Sequence, residues 1–178
     1  KILVGGDFTS YNGTGRNRIV RLNTDGTVDT GFLIGTGFNG AVYDIKLQSD
    51  GKILVAGSFT TYAGTSRPRI ARINTDGSID TGFTPGTGFD ATVYGIALDS
   101  AGDIYATGDF ANFAGTGRAK IARLNSDGTL DTGFDPGTGL NFFPYRVAVQ
   151  ADDKVIAVGY FTTYRGVSRN CIVRINTD

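Results

Sequence analysis

The apolar residues of this chain come in short alternating runs divided by turn residues, and nowhere do they recur at the three- and four-residue spacing of a helix. The clearest run is Val93, Tyr94, Gly95, Ile96, Ala97 and Leu98. Successive side chains of a strand point to opposite faces, so Tyr94, Ile96 and Leu98 are expected on one face of a half-buried strand. With this run as strand A, strand B is predicted over residues 103–110, C over 120–125 and D over 129–134. Ala101-Gly102 joins A to B, and Ser126-Asp127-Gly128 joins C to D. Glycine supplies the positive φ that tight hairpin turns need. The other two connections, typified by residues 60–68 between B and C and 84–91 between D and the next A, are longer and glycine-rich. The expected class is all-β.

The pattern returns without insertion every 51 residues, linking Phe8, Phe59, Phe110 and Phe161, and likewise Asn23, Asn74, Asn125 and Asn176. Segments 1–51 and 52–102 agree at 32 of 51 positions, so residues can be compared copy by copy. The chain divides into repeats 1–51, 52–102 and 103–153 and a half repeat 154–178. A twisted sheet of a few strands has two apolar faces and cannot cover both alone. Consecutive sheets must cover each other, which predicts a β-propeller of four-stranded antiparallel blades. About 3.5 blades are present, as part of a larger or multi-chain ring. Phe8, Phe32, Phe38 and Tyr43, with their copies, are expected between blades. A stacked solenoid is the structural rival, but alternating hairpin turns do not suit parallel stacking.

Composition narrows the chemistry. Lys plus Arg equals Asp plus Glu at 17 each, so no net field favours nucleic acid or an anionic membrane. No apolar run approaches the length of a membrane span, and no targeting segment opens the chain. There is no His, which removes imidazole triads, and one Cys, Cys171, whose default place is a buried structural side chain and whose alternative is a free thiol. The chain has no Glu, so a hydrolase would need paired Asp residues; Asp44, Asp109, Asp135, Asp152 and Asp153 are the partly irregular ones, with Asp44 and Asp109 the best candidates, and none has an obvious partner. No catalytic residue, metal or cofactor is expected.

Residues 51–60 (GKILVAGSFT), 69–80 (RIARINTDGSID), Phe83, Gly86 and Gly88 closely resemble the delta-60 repeat, a bacterial propeller-type repeat. The resemblance spans the whole chain. It implies a β-propeller of secreted, surface-associated or phage proteins and implies no particular activity.

Several recurring residues invite a functional reading. Asn23, Asp25 and Asp29 surround Gly26 as in a calcium loop, but the spacing is not that of an EF-hand, and a hairpin turn explains them. Arg16, Arg67, Arg118 and Arg169, and Arg21, Arg72, Arg123 and Arg174, recur in every copy, as expected of structural ion pairs with carboxylates. In a meander the A–B and C–D turns share one end and the long B–C and D–A loops the other. Variation collects at the long loops, making Tyr11, Asn12, Tyr62, Phe113, Tyr164 and Arg165, with Asn39, Asp90 and Asn141, the candidate contacts for a protein or glycan partner. Asn12-Gly13-Thr14 is also a glycosylation pattern. The expected function is a non-catalytic binding or scaffold module, extracellular or in a virion. The alternative is a subunit that self-associates through incomplete terminal blades.

Overall fold

The computed structural model describes residues 1–177; Asp178, the last position of the half repeat, lies outside the described residues. Every element is a strand. Strand A occupies Val42–Leu47, Val93–Leu98 and Pro144–Val149. Strand B occupies Ile2–Gly5, Ile53–Gly57, Ile104–Gly108 and Val155–Gly159. Strand C occupies Ile19–Leu22, Ile70–Ile73, Ile121–Leu124 and Ile172–Ile175. Three sheets have the order A–B–C, and the first sheet pairs B with C. All pairings are antiparallel, with Ile53 opposite Ile73 and Leu47 opposite Ile53.

Each sheet takes strand A from the end of one 51-residue segment and strands B and C from the next, so the spatial unit is out of phase with the 1–51 division. The fourth strand shrinks to one bridge per copy: Leu22 to Val28, Ile73 to Ile79 and Leu124 to Leu130. The cause is local. Just past the bridge, the carboxylates of Asp29, Asp80 and Asp131 accept the amides of Gly31, Gly82 and Gly133, folding the chain into an Asx turn before a ladder can extend.

The core is divided among the joints between sheets. One cluster joins Ile19 and Phe32 to Val55 and Phe59, a second joins Leu54 and Phe83 to Ile104 and Phe110, and a third joins Tyr105 and Phe134 to Val155 and Phe161. No sheet has a core of its own, as burial demands of a repeat unit with two apolar faces. Phe59, Phe110 and Phe161, and Phe32, Phe83 and Phe134, fill these joints as the repeat pattern predicts.

Two expectations of burial fail. Tyr43 is 45% exposed. The register of strands A and B slips beside it and beside Tyr94, leaving each as the extra residue of a β-bulge and breaking the alternation that would have turned it inward. Cys171 is exposed rather than buried, in the left-handed region at φ 64°. It shares this conformation with Arg18, Arg69 and Lys120, where each B–C hairpin bends away from its sheet.

Candidate functional site

The long B–C connection is an extension of its two strands rather than an irregular loop. Past the bend, Tyr11 pairs with Thr14, Tyr62 with Thr65, Phe113 with Thr116 and Tyr164 with Val167. At the tips, Asn12-Gly13, Ala63-Gly64, Ala114-Gly115 and Arg165-Gly166 all have positive φ, the signature of a two-residue type I′ turn. Asn-Gly is the strongest short-range signal for that turn, and the first copy carried it.

The hairpin presses its aromatic side inward. Tyr62 and Phe113 are buried at 0% and 1% exposure and so are removed from the candidate partner contacts. Their rings lie 4.5 Å from Phe38 and 4.7 Å from Phe89, which belong to the D–A loop. Tyr62 Oη donates to the Gly77 carbonyl at 2.5 Å, and burial pushes its phenol well above the ordinary range. Tyr11 is half-buried and makes the equivalent bond to Gly26 at 3.0 Å. Tyr164 is also half-buried.

Asn39, Asp90 and Asn141 lie on the D–A loops, but their side chains serve the fold. Asn39 Oδ1 accepts the amides of Thr60 and Thr61 at 2.8 and 2.9 Å, while its Nδ2 donates to Thr60 Oγ1. Asn141 repeats this on Thr162 and Thr163. Asp90 accepts the amides of Ala111 and Asn112 and the Asn112 side-chain amide. Burial raises the Asp90 pKa, but the three donors outweigh it and hold the carboxyl below its usual value. Each D–A loop is thereby clamped to its neighbouring hairpin. Asn12, Ala63, Ala114 and Arg165 stay exposed at the tips, an outward row borne on a rigid base.

The recurring arginines divide into two kinds. Arg21, Arg72 and Arg123 each direct Nε to Asp29, Asp80 and Asp131 of the same copy, at 2.7, 2.6 and 2.6 Å. Their Nη1 reaches the next copy, donating to the carbonyls of Thr75, Ser126 and Thr177. The guanidinium of Arg72 also lies 5.0 Å from the Phe83 ring centroid. This clip spans the joint between sheets. Arg174 is exposed. Arg16, Arg67, Arg118 and Arg169 differ: each donates to the preceding backbone carbonyl, and none pairs with a carboxylate among the described residues. Arg118 is nevertheless buried.

Asp25 accepts the backbone amide and hydroxyl of Thr27, which hold its carboxyl below the usual range. That contact belongs to a turn, and among the described residues no three acidic or thiol side chains converge as a metal centre requires. Asp44 is held by Lys46 at 2.9 Å and by the Ile96 amide at 2.9 Å, and Asp109 by Lys120 at 2.9 Å. Both carboxylates are thus engaged by a lysine within their own sheet.

Sheets that share joint cores, cross-joint clips and one face of projecting hairpins define a β-propeller repeat array. The chain belongs to the family described as "Domain of unknown function (DUF5122) beta-propeller", whose pattern matches residues 1–32, 48–83, 102–134 and 150–178. Among solved structures it is similar to the "WD40 beta propeller domain of Doa1", at 16% identity and a TM-score of 0.42, covering 76% of this chain and 50% of that one. The chain thus spans half the length of that structure. No curated protein matches its sequence.

Proposed function

We propose that this chain is a non-catalytic binding and scaffold module of the delta-60 kind, whose partner, a protein or a glycan, meets the face bearing the B–C hairpins and D–A loops. The observation that carries this reading is the clamp made by Asn39, Asp90 and Asn141. It removes the conformational freedom of long connections while the tip residues Asn12, Ala63, Ala114 and Arg165 vary from copy to copy. A rigid base with variable outward positions lowers the ordering cost of binding. An extracellular or virion setting rests on the sequence resemblance alone. The test pans a peptide-display library against the 178-residue chain and maps bound peptides by hydrogen exchange. Protection at the hairpin tips and D–A loops is expected; protection confined to the A–B and C–D turns would sink the reading.

A second reading, self-association through the terminal repeats, has one observation in its favour. Ile172 is 58% exposed, whereas Ile19, Ile70 and Ile121 at the same place in other copies are 0% exposed beneath their neighbours. In this reading a repeat of a second copy covers Ile172. Sedimentation of the 178-residue chain over a concentration series tests it: a monomer throughout overturns it, and an Ile172→Ser variant that loses a wild-type oligomer supports it.

A further inference from the structure

We propose that Asn12 is a site of spontaneous deamidation to isoaspartate and aspartate, and that the fold spares Asn39, the other asparagine followed by glycine. The proposal assigns a covalent modification to the chain and does not depend on which partner the long-loop face binds.

The sequence holds two Asn-Gly pairs, Asn12-Gly13 and Asn39-Gly40. Glycine has no side chain to shield its own amide nitrogen, so that nitrogen can reach the carboxamide carbon of the preceding residue. Both asparagines are exposed, and access to water therefore does not separate them. Their surroundings do.

At the first hairpin tip, the Asn12 side chain and the Gly13 amide have no hydrogen-bond partner among the described residues. A Cβ added at Gly13 or at Gly15 would meet nothing within 4 Å, so the tip projects into open space. It is held by two cross-strand pairs, Ser10 with Gly15 and Tyr11 with Thr14. A short, exposed hairpin end opens at low free-energy cost. Opening lets Asn12 leave its left-handed conformation and swing its carboxamide over the Gly13 nitrogen.

In the D–A loop the same dipeptide is fixed. Asn39 Oδ1 accepts the Thr60 and Thr61 amides, and its Nδ2 donates to Thr60 Oγ1. A Cβ on Gly40 would stand 2.8 Å from Phe59 Cα and 2.9 Å from the Phe59 nitrogen, so this backbone is wedged against its neighbour. Ring closure at Asn39 requires three hydrogen bonds to break and a packed loop to move. The remaining tips carry Ala63, Ala114 and Arg165, which have no carboxamide, so at the tips the reaction is confined to the first copy.

The chemistry needs only water and hydroxide. The Gly13 amide gives its proton to hydroxide, and its nitrogen bonds to Asn12 Cγ. The Cγ–Nδ2 bond breaks, and Nδ2 takes a proton from water and leaves as ammonia. Water then opens the five-membered imide. Cleavage of the new N–Cγ bond gives aspartate, whereas cleavage of the original peptide bond routes the main chain through Cβ and gives isoaspartate. Nothing is oxidised or reduced. Isoaspartate adds one atom to the main chain of a two-residue turn, and either product adds one negative charge to a chain whose formal charges balance.

The test incubates the 178-residue chain in mildly alkaline buffer, folded and in urea. Digests are followed by mass spectrometry with fragmentation that separates isoaspartate from aspartate. In the folded chain the mass gain of an NH2-to-OH exchange is expected at residue 12 roughly tenfold or more faster than at residue 39, because the bonded carboxamide is seldom released. In urea the two sites are expected to react at comparable rates. Equal rates in the folded chain overturn the proposal, and so does a folded chain in which residue 12 stays intact while it reacts in urea. A difference that persists unchanged in urea also overturns it, since the fold then plays no part. Asn12→Ala places at this tip the residue that two other copies carry, so folding is expected to survive. This variant should lack the acidic species that isoelectric focusing resolves in the aged wild type; its persistence would assign the reaction elsewhere.

Discussion

Arg72 and Asp80 meet at 2.6 Å with both residues nearly buried, and the same guanidinium donates at 2.6 Å to the Ser126 carbonyl of the following copy. One side chain thus ties strand C to the segment after it and one sheet to the next. Replacing Arg72 with Ala leaves Asp80 with Lys52 as its sole ion-pair partner and removes the bond across the joint. Loss of one member of a buried pair costs about 3–5 kcal/mol. Because Lys52 remains, a loss of about 2–4 kcal/mol is expected in urea unfolding, larger than for Arg21→Ala, whose pair is more exposed. Equal losses at the two positions would show that burial does not set the strength of the clip.

The carboxylates predict a one-sided pH profile. The Arg21 hydrogen bond holds Asp29 below its usual pKa; at Asp80, burial pushes upward but Lys52 and Arg72 outweigh it. A carboxyl with a lowered folded-state pKa binds fewer protons folded than unfolded. Its contribution is present above the unfolded pKa of about 4 and is lost as pH falls through the folded value. With no His, the thermal midpoint should vary little between about pH 6 and 8 and drop below about pH 4.

Asp103 runs the other way. Burial and the charge of Asp99 raise its pKa, so its charged form opposes folding as pH rises through the folded value. Asp103→Asn keeps the oxygen that accepts the Ser126 amide and removes the charge. The variant should melt higher than wild type at pH 7, with the difference disappearing near pH 3; a lower midpoint at pH 7 would exclude this account.

Ala114 holds φ 46° at the first central position of a type I′ turn, a conformation that Asn tolerates better. Ala114→Asn copies the first repeat's Asn12 and should add about 0.5–1 kcal/mol in denaturant unfolding. No gain would mean that the hairpin tip is already open in the transition measured.

Gly88 shows the reverse constraint, with φ 67° and the Pro68 carbonyl where a Cβ would stand. Both the positive φ and the clash penalise Gly88→Ala, for an expected loss of about 1–3 kcal/mol. The D–A loop should then detach from its hairpin, visible as faster amide exchange at Asp90 and Ala114, which bond across that seam.

How much was legible follows from the range of each interaction. The sequence by itself determined the 51-residue period, strands A to C and the C–D turn, because alternation, Asp-Gly and self-similarity are local or periodic signals. It also pointed to the long-loop face through the order of the strands. Tertiary structure decided which side of each hairpin faces outward: Tyr62 and Phe113 went inward because their rings complete a core with Phe38 and Phe89, far off in sequence. The Asx turns after Asp29, Asp80 and Asp131 decided that the fourth strand stays short. The bulges decided that Tyr43 and Tyr94 leave the core, since a single extra residue reverses the alternation from which burial was read. Only the fold brings Phe143 and Tyr160 together, because the contact between them depends on the pairing of strands A and B and not on spacing along the chain.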